Sequence, residues 1–241
     1  RIRNQWEALG TNDPYWAVLT FPEKKGGKWN QEEFFQTGIC EIAEVLSKVD
    51  TLNIELNRSN ALDFGCGVGR LSRALSTHFE KVIGIDISEA MLTEAKQVNC
   101  NYDNLIFIHN NEADLKIVAD RSIDFLYSNI VLQHMPDKMQ KKYIIEFCRI
   151  INNKGIIVFQ TPSKAKIRNI KGIAHMFFGN RFLNVVRKFI YGKNNIMEIH
   201  TLPKKEVIQI LNECKMTLVN VERYDCAGPA YESYRYYAVK N

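Results

Sequence analysis

Ten residues, Ala61-Leu62-Asp63-Phe64-Gly65-Cys66-Gly67-Val68-Gly69-Arg70, restrict the fold more than any other stretch of the chain. Ala61, Leu62 and Phe64 follow Ser59-Asn60 and read as a short buried strand. Glycines at 65, 67 and 69 then force a tight turn, and Leu71, Ala74, Leu75, His78 and Phe79 recur at helical spacing beyond it. A strand, a glycine turn and a helix bring backbone N–H groups close to a ligand, as nucleotide-binding loops do. The spacing is neither that of a dinucleotide fold, G-x-G-x-x-G, nor that of a phosphate loop. It is D-x-G-x-G-x-G, with the acid at the end of the strand itself. That arrangement suits a ligand carrying an ammonium group rather than a pyrophosphate.

Three later segments repeat the scheme. Lys81-Val82-Ile83-Gly84-Ile85-Asp86 is a second apolar strand ending in an acid, placed to accept both hydroxyls of a ribose. Leu105 to His109 leads into Asn110-Asn111-Glu112-Ala113-Asp114-Leu115. Ile123 to Asn129 leads into Ile130-Val131-Leu132-Gln133-His134-Met135-Pro136. With these four segments in order, the chain resembles the class I S-adenosylmethionine-dependent methyltransferases of the small-molecule type. The resemblance implies S-adenosyl-L-methionine as cofactor and assigns it a set of residues. Asp63 would face its ammonium, while Gly65, Cys66 and Gly67 would lend backbone to its methionine and ribose. Asp86 would take the ribose hydroxyls, Ile87 would pack on adenine, and Ser128 would offer a carbonyl. Asn111 and Glu112 stand where the family often has an acid and a small residue, and they complete the cofactor set.

Methyl transfer from a sulfonium needs alignment and removal of a proton. His134, just past the fourth strand, is the candidate base, since a histidine can take a proton near neutral pH; packing or substrate orientation is the alternative. Tyr15 and Trp16, beside the Asn12-Asp13-Pro14 turn, are substrate candidates as a lid or else core aromatics. No spacing of His, Cys or acids indicates a metal.

At 241 residues and 46% hydrophobic content the chain can bury a full core, and one methyltransferase domain over 1–241 is expected. No apolar run reaches the roughly 18 residues of a membrane span. Six scattered cysteines without a C-x-x-C pair suit reduced thiols and a cytoplasmic setting. The net charge of +5 is uneven: residues 163–200 hold eight Lys/Arg and one acid, leaving 24 bases and 26 acids elsewhere.

The expected architecture is α/β, a doubly wound, seven-stranded, mostly parallel sheet with an antiparallel C-terminal hairpin. Residues 1–57 would form an N-terminal helical cap, 58–161 the cofactor-binding core, 162–200 a basic insertion, and 201–241 a final helix and closing hairpin. Within this plan Asn30 and Ser88 should cap helices. Asp137 and Gln140 should form a capping box, Asn152 to Gly155 should end a helix before a strand at Ile156–Phe159, and Thr201 should start the last helix with Pro203 in its first turn. The insertion, through Arg187 and Lys188, would meet an anionic or lipid-linked small acceptor, with peripheral membrane contact as a second use. O-methylation of a saccharide or secondary-metabolite type acceptor is the function expected. Nucleic acid is not an expected partner: the Asn/Asp-Pro-Pro-Tyr signature of DNA amino-methylation is absent and no second basic patch exists. An RNA methyltransferase and a non-catalytic scaffold remain as alternatives.

Overall fold

The computed structural model describes residues 2–166 and 197–241. Arg187 and Lys188, and with them most of the basic insertion, lie outside the described residues. Seven strands form one sheet in the order β3-β2-β1-β4-β5-β7-β6. They are β1 (Asn60–Phe64), β2 (Lys81–Asp86), β3 (Leu105–His109), β4 (Ile123–Ser128), β5 (Ile151–Ala165), β6 (Met216–Arg223) and β7 (Tyr231–Lys240). β1 pairs in parallel with β2 and β4, and β2 with β3, whereas β7 runs antiparallel to both β5 and β6. The chain contacts divide it into two compact units, 3–112 with 122–127 and 113–121 with 128–241.

In the first unit the helices are α1 (Ile2–Asn12), α2 (Pro14–Val18), α3 (Gln31–Thr51), α4 (Arg70–Ser76) and α5 (Glu89–Val98). Asn30 caps α3 by accepting the Glu33 N–H at 3.0 Å, and Glu32 and Glu33 suit its positive end. Phe34, Phe35, Ile42, Val45, Leu46 and Val49 are buried along one stripe of α3, each worth about 1.5–3 kcal/mol of burial. Ile39 is 44% exposed, because it points off that stripe. Gly38 lies on the stripe where α3 meets α4, and a Cβ there would sit 2.4 Å from the Arg70 carbonyl oxygen. Gly38→Ala is therefore expected to cost about 1–3 kcal/mol through overpacking. In thermal melts that is a fall of about 2–12 °C; an unchanged midpoint would mean the two helices can part without cost.

In the second unit α6 (Asp137–Ile150) and α7 (Lys204–Glu213) pack against each other, and Phe159 of β5 stacks on Tyr236 of β7 at 5.1 Å. Several boundaries differ from expectation here and in the first unit. α6 ends at Ile150 and passes directly into β5, so Asn152 to Gly155 belong to the strand, with Lys154 in the left-handed region at φ 63°. Asp137 and Gln140 make no capping box. Pro136 holds the N-cap position, and Gln140 is buried, donating to the Met135 carbonyl and accepting from Thr161 Oγ1. Pro203 is likewise the N-cap of α7, one position before the helix, and Thr201 precedes it. α4 stops at Ser76, leaving His78 and Phe79 beyond its end. α1 and α2 fall within the N-terminal helical cap expected over 1–57.

Candidate functional site

The glycine turn hangs on the second strand. The Gly65 and Cys66 N–H groups both donate to the Ile85 carbonyl, at 2.8 and 3.0 Å. Gly67 N–H donates to Asp86 Oδ2 at 2.8 Å, and Ser88 N–H to Asp86 Oδ1 at 2.9 Å. Gly67 and Gly69 have φ of 54° and 81°, a region side chains avoid, and Gly69 serves as the N-cap of α4. The sequence thus trades side chains for a backbone that can fold under a ligand. Burial raises the Asp86 pKa above its ordinary value, against the N–H groups of Ser88, Gly67 and Ile87, which lower it. Each carboxylate oxygen carries a second lone pair, so Asp86 can take these bonds and still accept a hydroxyl. Cys66 is buried, and burial pushes its thiol well above the ordinary range, so it is a packing residue rather than a nucleophile.

Asp63, on β1, is 1% exposed. Its Oδ2 accepts the Ser72 hydroxyl at 2.6 Å, while Oδ1 has no hydrogen-bond partner among the described residues. Burial pushes its pKa up to about 7; Ser72 and Arg70 pull it down, and Glu41 and Asp86 add to the rise. Behind it lies a buried ion pair. Arg70 Nη2 donates to Glu41 Oε2 at 2.8 Å and Nη1 to Thr37 Oγ1 at 3.3 Å, and Tyr127 donates to Glu41 Oε1 at 2.8 Å. These contacts tie α3, α4 and β4 together. Sequence reasoning missed Glu41, Arg70 and Ser72. A signal existed for Glu41, which falls at i+7 from Phe34 and i+3 from Gly38, an acid on a buried stripe.

The N-terminal helices cover this region. Glu7 of α1 accepts Ser88 Oγ–H at 2.9 Å and Ala90 N–H at 3.1 Å, supplementing the Ser88 cap of α5. Val18 of α2 lies over the turn: a Cβ on Gly67 would sit 2.7 Å from Val18 Cγ2. Tyr15 packs edge-on to Phe34 at 4.8 Å and donates to Glu94 at 2.8 Å; burial, with that bond second, raises its pKa to about 12. Trp16 donates to the Phe21 carbonyl at 3.0 Å and is faced by Lys25. Ile87 is half-buried, its carbonyl 3.0 Å from His109 Nε2; Asn111 and Glu112 are exposed just past β3.

Ser128 and His134 belong to the second unit, where both are buried. His134 Nδ1 lies 2.9 Å from the Glu198 carbonyl oxygen, which places the ring proton on Nδ1 and leaves Nε2 as the acceptor, 3.3 Å from Gln133 Nε2. Burial lowers its pKa to about 4. Gln133 Oε1 in turn accepts from Gln160, whose Oε1 accepts the N–H of Ile130. Ile130 has φ 61°, a conformation that strains a β-branched residue.

Comparison with known proteins bears on what this arrangement is. Residues 62–159 match the family model described as a methyltransferase domain. The chain is 30% identical over 135 residues to a ubiquinone biosynthesis O-methyltransferase of Coxiella burnetii, covering 52% of this chain and 53% of that one. The matched segment, residues 62–159, is a methyltransferase domain of the S-adenosylmethionine-dependent kind. A malonyl-[acyl-carrier protein] O-methyltransferase of Hamiltonella defensa is 28% identical over 118 residues, 48% of this chain and 43% of that one. The chain therefore spans about half the length of the curated relatives it matches. Its fold is that of the magnesium protoporphyrin IX methyltransferase of Synechocystis solved with bound S-adenosylhomocysteine, at TM-score 0.65 and 19% identity over 100% of this chain and 98% of that one. The family draws its methyl group from S-adenosylmethionine, and the residues present fit that cofactor: the buried Asp63 carboxylate has one oxygen without a hydrogen-bond partner among the described residues, and Gly65 to Gly67 leave backbone bare beside Asp86. Among the described residues no helix is long and apolar enough to cross a membrane, and no group of three or more His, Cys, Asp or Glu could hold a metal ion.

Proposed function

We propose that this chain transfers the methyl group of S-adenosylmethionine to an oxygen of a small acceptor of saccharide or secondary-metabolite type, anionic or lipid-linked. One observation carries the cofactor half of this reading: the buried Asp63 oxygen without a partner at the head of the glycine turn. A carboxylate so placed costs several kcal/mol unless a cation or donor meets it, and a ligand ammonium does so. In this reading Gly65, Cys66 and Gly67 bring backbone to the ligand, Asp86 accepts its ribose hydroxyls, and Ile87 and Asn111 flank its base. The oxygen acceptor draws support from the names of the relatives, which specify O-methylation of a quinone precursor and of a carrier-bound malonyl group.

When bound, the sulfonium cofactor supplies an electrophilic methyl carbon. The chain's own contribution is then alignment and a place for the acceptor's proton. His134 is assigned that proton: its Nδ1–H is held by the Glu198 carbonyl, and its Nε2 lone pair takes the proton once the acceptor displaces the Gln133 amide that lies 3.3 Å away. With its pKa lowered to about 4 it is neutral throughout the physiological range. Incubating the chain with deuterium-labelled cofactor and a panel of hydroxyl and carboxyl acceptors should yield a labelled methyl ether or ester. His134→Ala should lower turnover ~10²-fold at saturating acceptor with cofactor affinity unchanged. Near-normal turnover would remove His134 from the chemistry, and tight cofactor binding without transfer to any acceptor would favour the scaffold instead.

A further inference from the structure

Cys148 lies on the buried face of α6, and Cys214 is the C-cap of α7. Two independent features bring them together. α6 packs on α7. Met216, two residues past Cys214, pairs in register with Lys240, and Lys240 Nζ donates to the Cys148 carbonyl at 2.6 Å. Cys148 is buried and Cys214 partly open to solvent, and each thiol is the largest influence on the titration of the other. Neither enters the methyl-transfer reading, and both lie in the second unit.

We propose that Cys148 and Cys214 form a dithiol site that reacts with low-molecular-weight disulfides, Cys214 attacking and Cys148 resolving. The division of labour follows from exposure, since the attacking sulfur must be reached from solvent and the resolving one need not be. The influence of Cys148 lowers the Cys214 pKa to about 7, a poise that combines thiolate population with nucleophilicity near neutral pH. The same pairing and burial push the Cys148 thiol up, so it stays protonated until its partner is consumed. The ammonium of Lys240 favours the thiolate of either sulfur.

The electrons balance in two steps. The Cys214 thiolate attacks one sulfur of the small disulfide, breaks its S–S bond and expels one small thiolate. Cys148 then releases its proton and attacks the Cys214 sulfur of the mixed disulfide, expelling the second small thiolate. The protein dithiol is oxidised by two electrons and the small disulfide is reduced to two thiols.

Glutathione disulfide is the probe, added to the full chain near neutral pH, followed by alkylation under denaturing conditions and peptide mass mapping. The wild type should lose two of its six alkylatable thiols and yield a 148–214 cross-linked peptide, with Cys214 reacting before the exposed Cys40 and Cys100. Cys148→Ser should stop at a glutathione adduct on Cys214, and Cys214→Ser should give neither adduct nor bridge. Six alkylatable thiols after prolonged treatment would overturn the proposal, as would adducts on Cys40 or Cys100 with Cys214 untouched. If Cys148→Ser does not fold, the wild type and Cys214→Ser still decide: a 148–214 bridge in the wild type with Cys148 left unmodified in Cys214→Ser supports the site, and glutathione taken up on Cys148 of Cys214→Ser as fast as the wild type reacts refutes it.

Discussion

Asp63→Asn is expected to weaken S-adenosylhomocysteine binding about 10- to 150-fold, the equivalent of about 1.5–3 kcal/mol for a lost hydrogen bond to a charged group. The fold should survive, because Asn still accepts the Ser72 hydroxyl and no buried charge remains. The pH dependence sharpens the test. Burial raises the Asp63 pKa from 3.8 to about 7 in the folded chain. For a group raised in this way, the stabilising contribution is fully present below about 3.8 and is lost as pH rises through about 7. Binding runs the other way. A cationic ligand needs the carboxylate, so affinity should fall about tenfold between pH 7.5 and pH 6, with a proton released on binding. Titration calorimetry in buffers of different ionisation enthalpy measures both quantities. An equal affinity in Asp63→Asn, or the same pH slope in the variant, would mean that the ammonium is held elsewhere.

The second large effect is on stability. Glu41→Ala leaves the Arg70 guanidinium, only 4% exposed, without its carboxylate. Removing one partner of a buried pair costs about 3–5 kcal/mol, which for a chain of this size lowers the melting midpoint by about 6–20 °C. Replacing both partners, Glu41→Leu with Arg70→Met, should recover at least half of that loss, since no charge is then stranded. Differential scanning calorimetry on the single and double variants makes the comparison. If Glu41→Ala melts within about 1 °C of wild type, water reaches Arg70 and the pair is not a buried one. The result also bears on Asp63, because Arg70 lowers its pKa and Glu41 raises it.

What was legible in the sequence is what local pattern encodes. The glycine turn, the acids at Asp63 and Asp86, and the caps at Asn30 and Ser88 depend on neighbours a few residues away, and all stand where the spacing put them. The buried pair was not legible, because Glu41, Arg70 and Tyr127 meet across 29 and 86 positions. Glu7 was missed for the same reason, with 81 positions between it and Ser88. The capping box at Asp137 failed for a different one. Pro136 and Pro203 pre-set the backbone at their N-caps, and Gln140 was recruited by Thr161 of β5. Tyr15 shows the limit of reading an aromatic near a turn, because lid and core share the same residue types and only the Phe34 contact separates them.

The place of β7 in the sheet has a consequence for how the chain is made. β7 follows β6 in sequence yet lies between β5 and β6, hydrogen-bonded to both. During synthesis, therefore, β5 and β6 emerge before the strand that pairs with both of them. Until Tyr231 to Lys240 have left the ribosome, each offers an unpaired backbone edge, the kind of surface that captures strands from other molecules. A nascent chain stalled before Tyr231 should thus need a holding chaperone, and release of those last ten strand residues should end that need in one step.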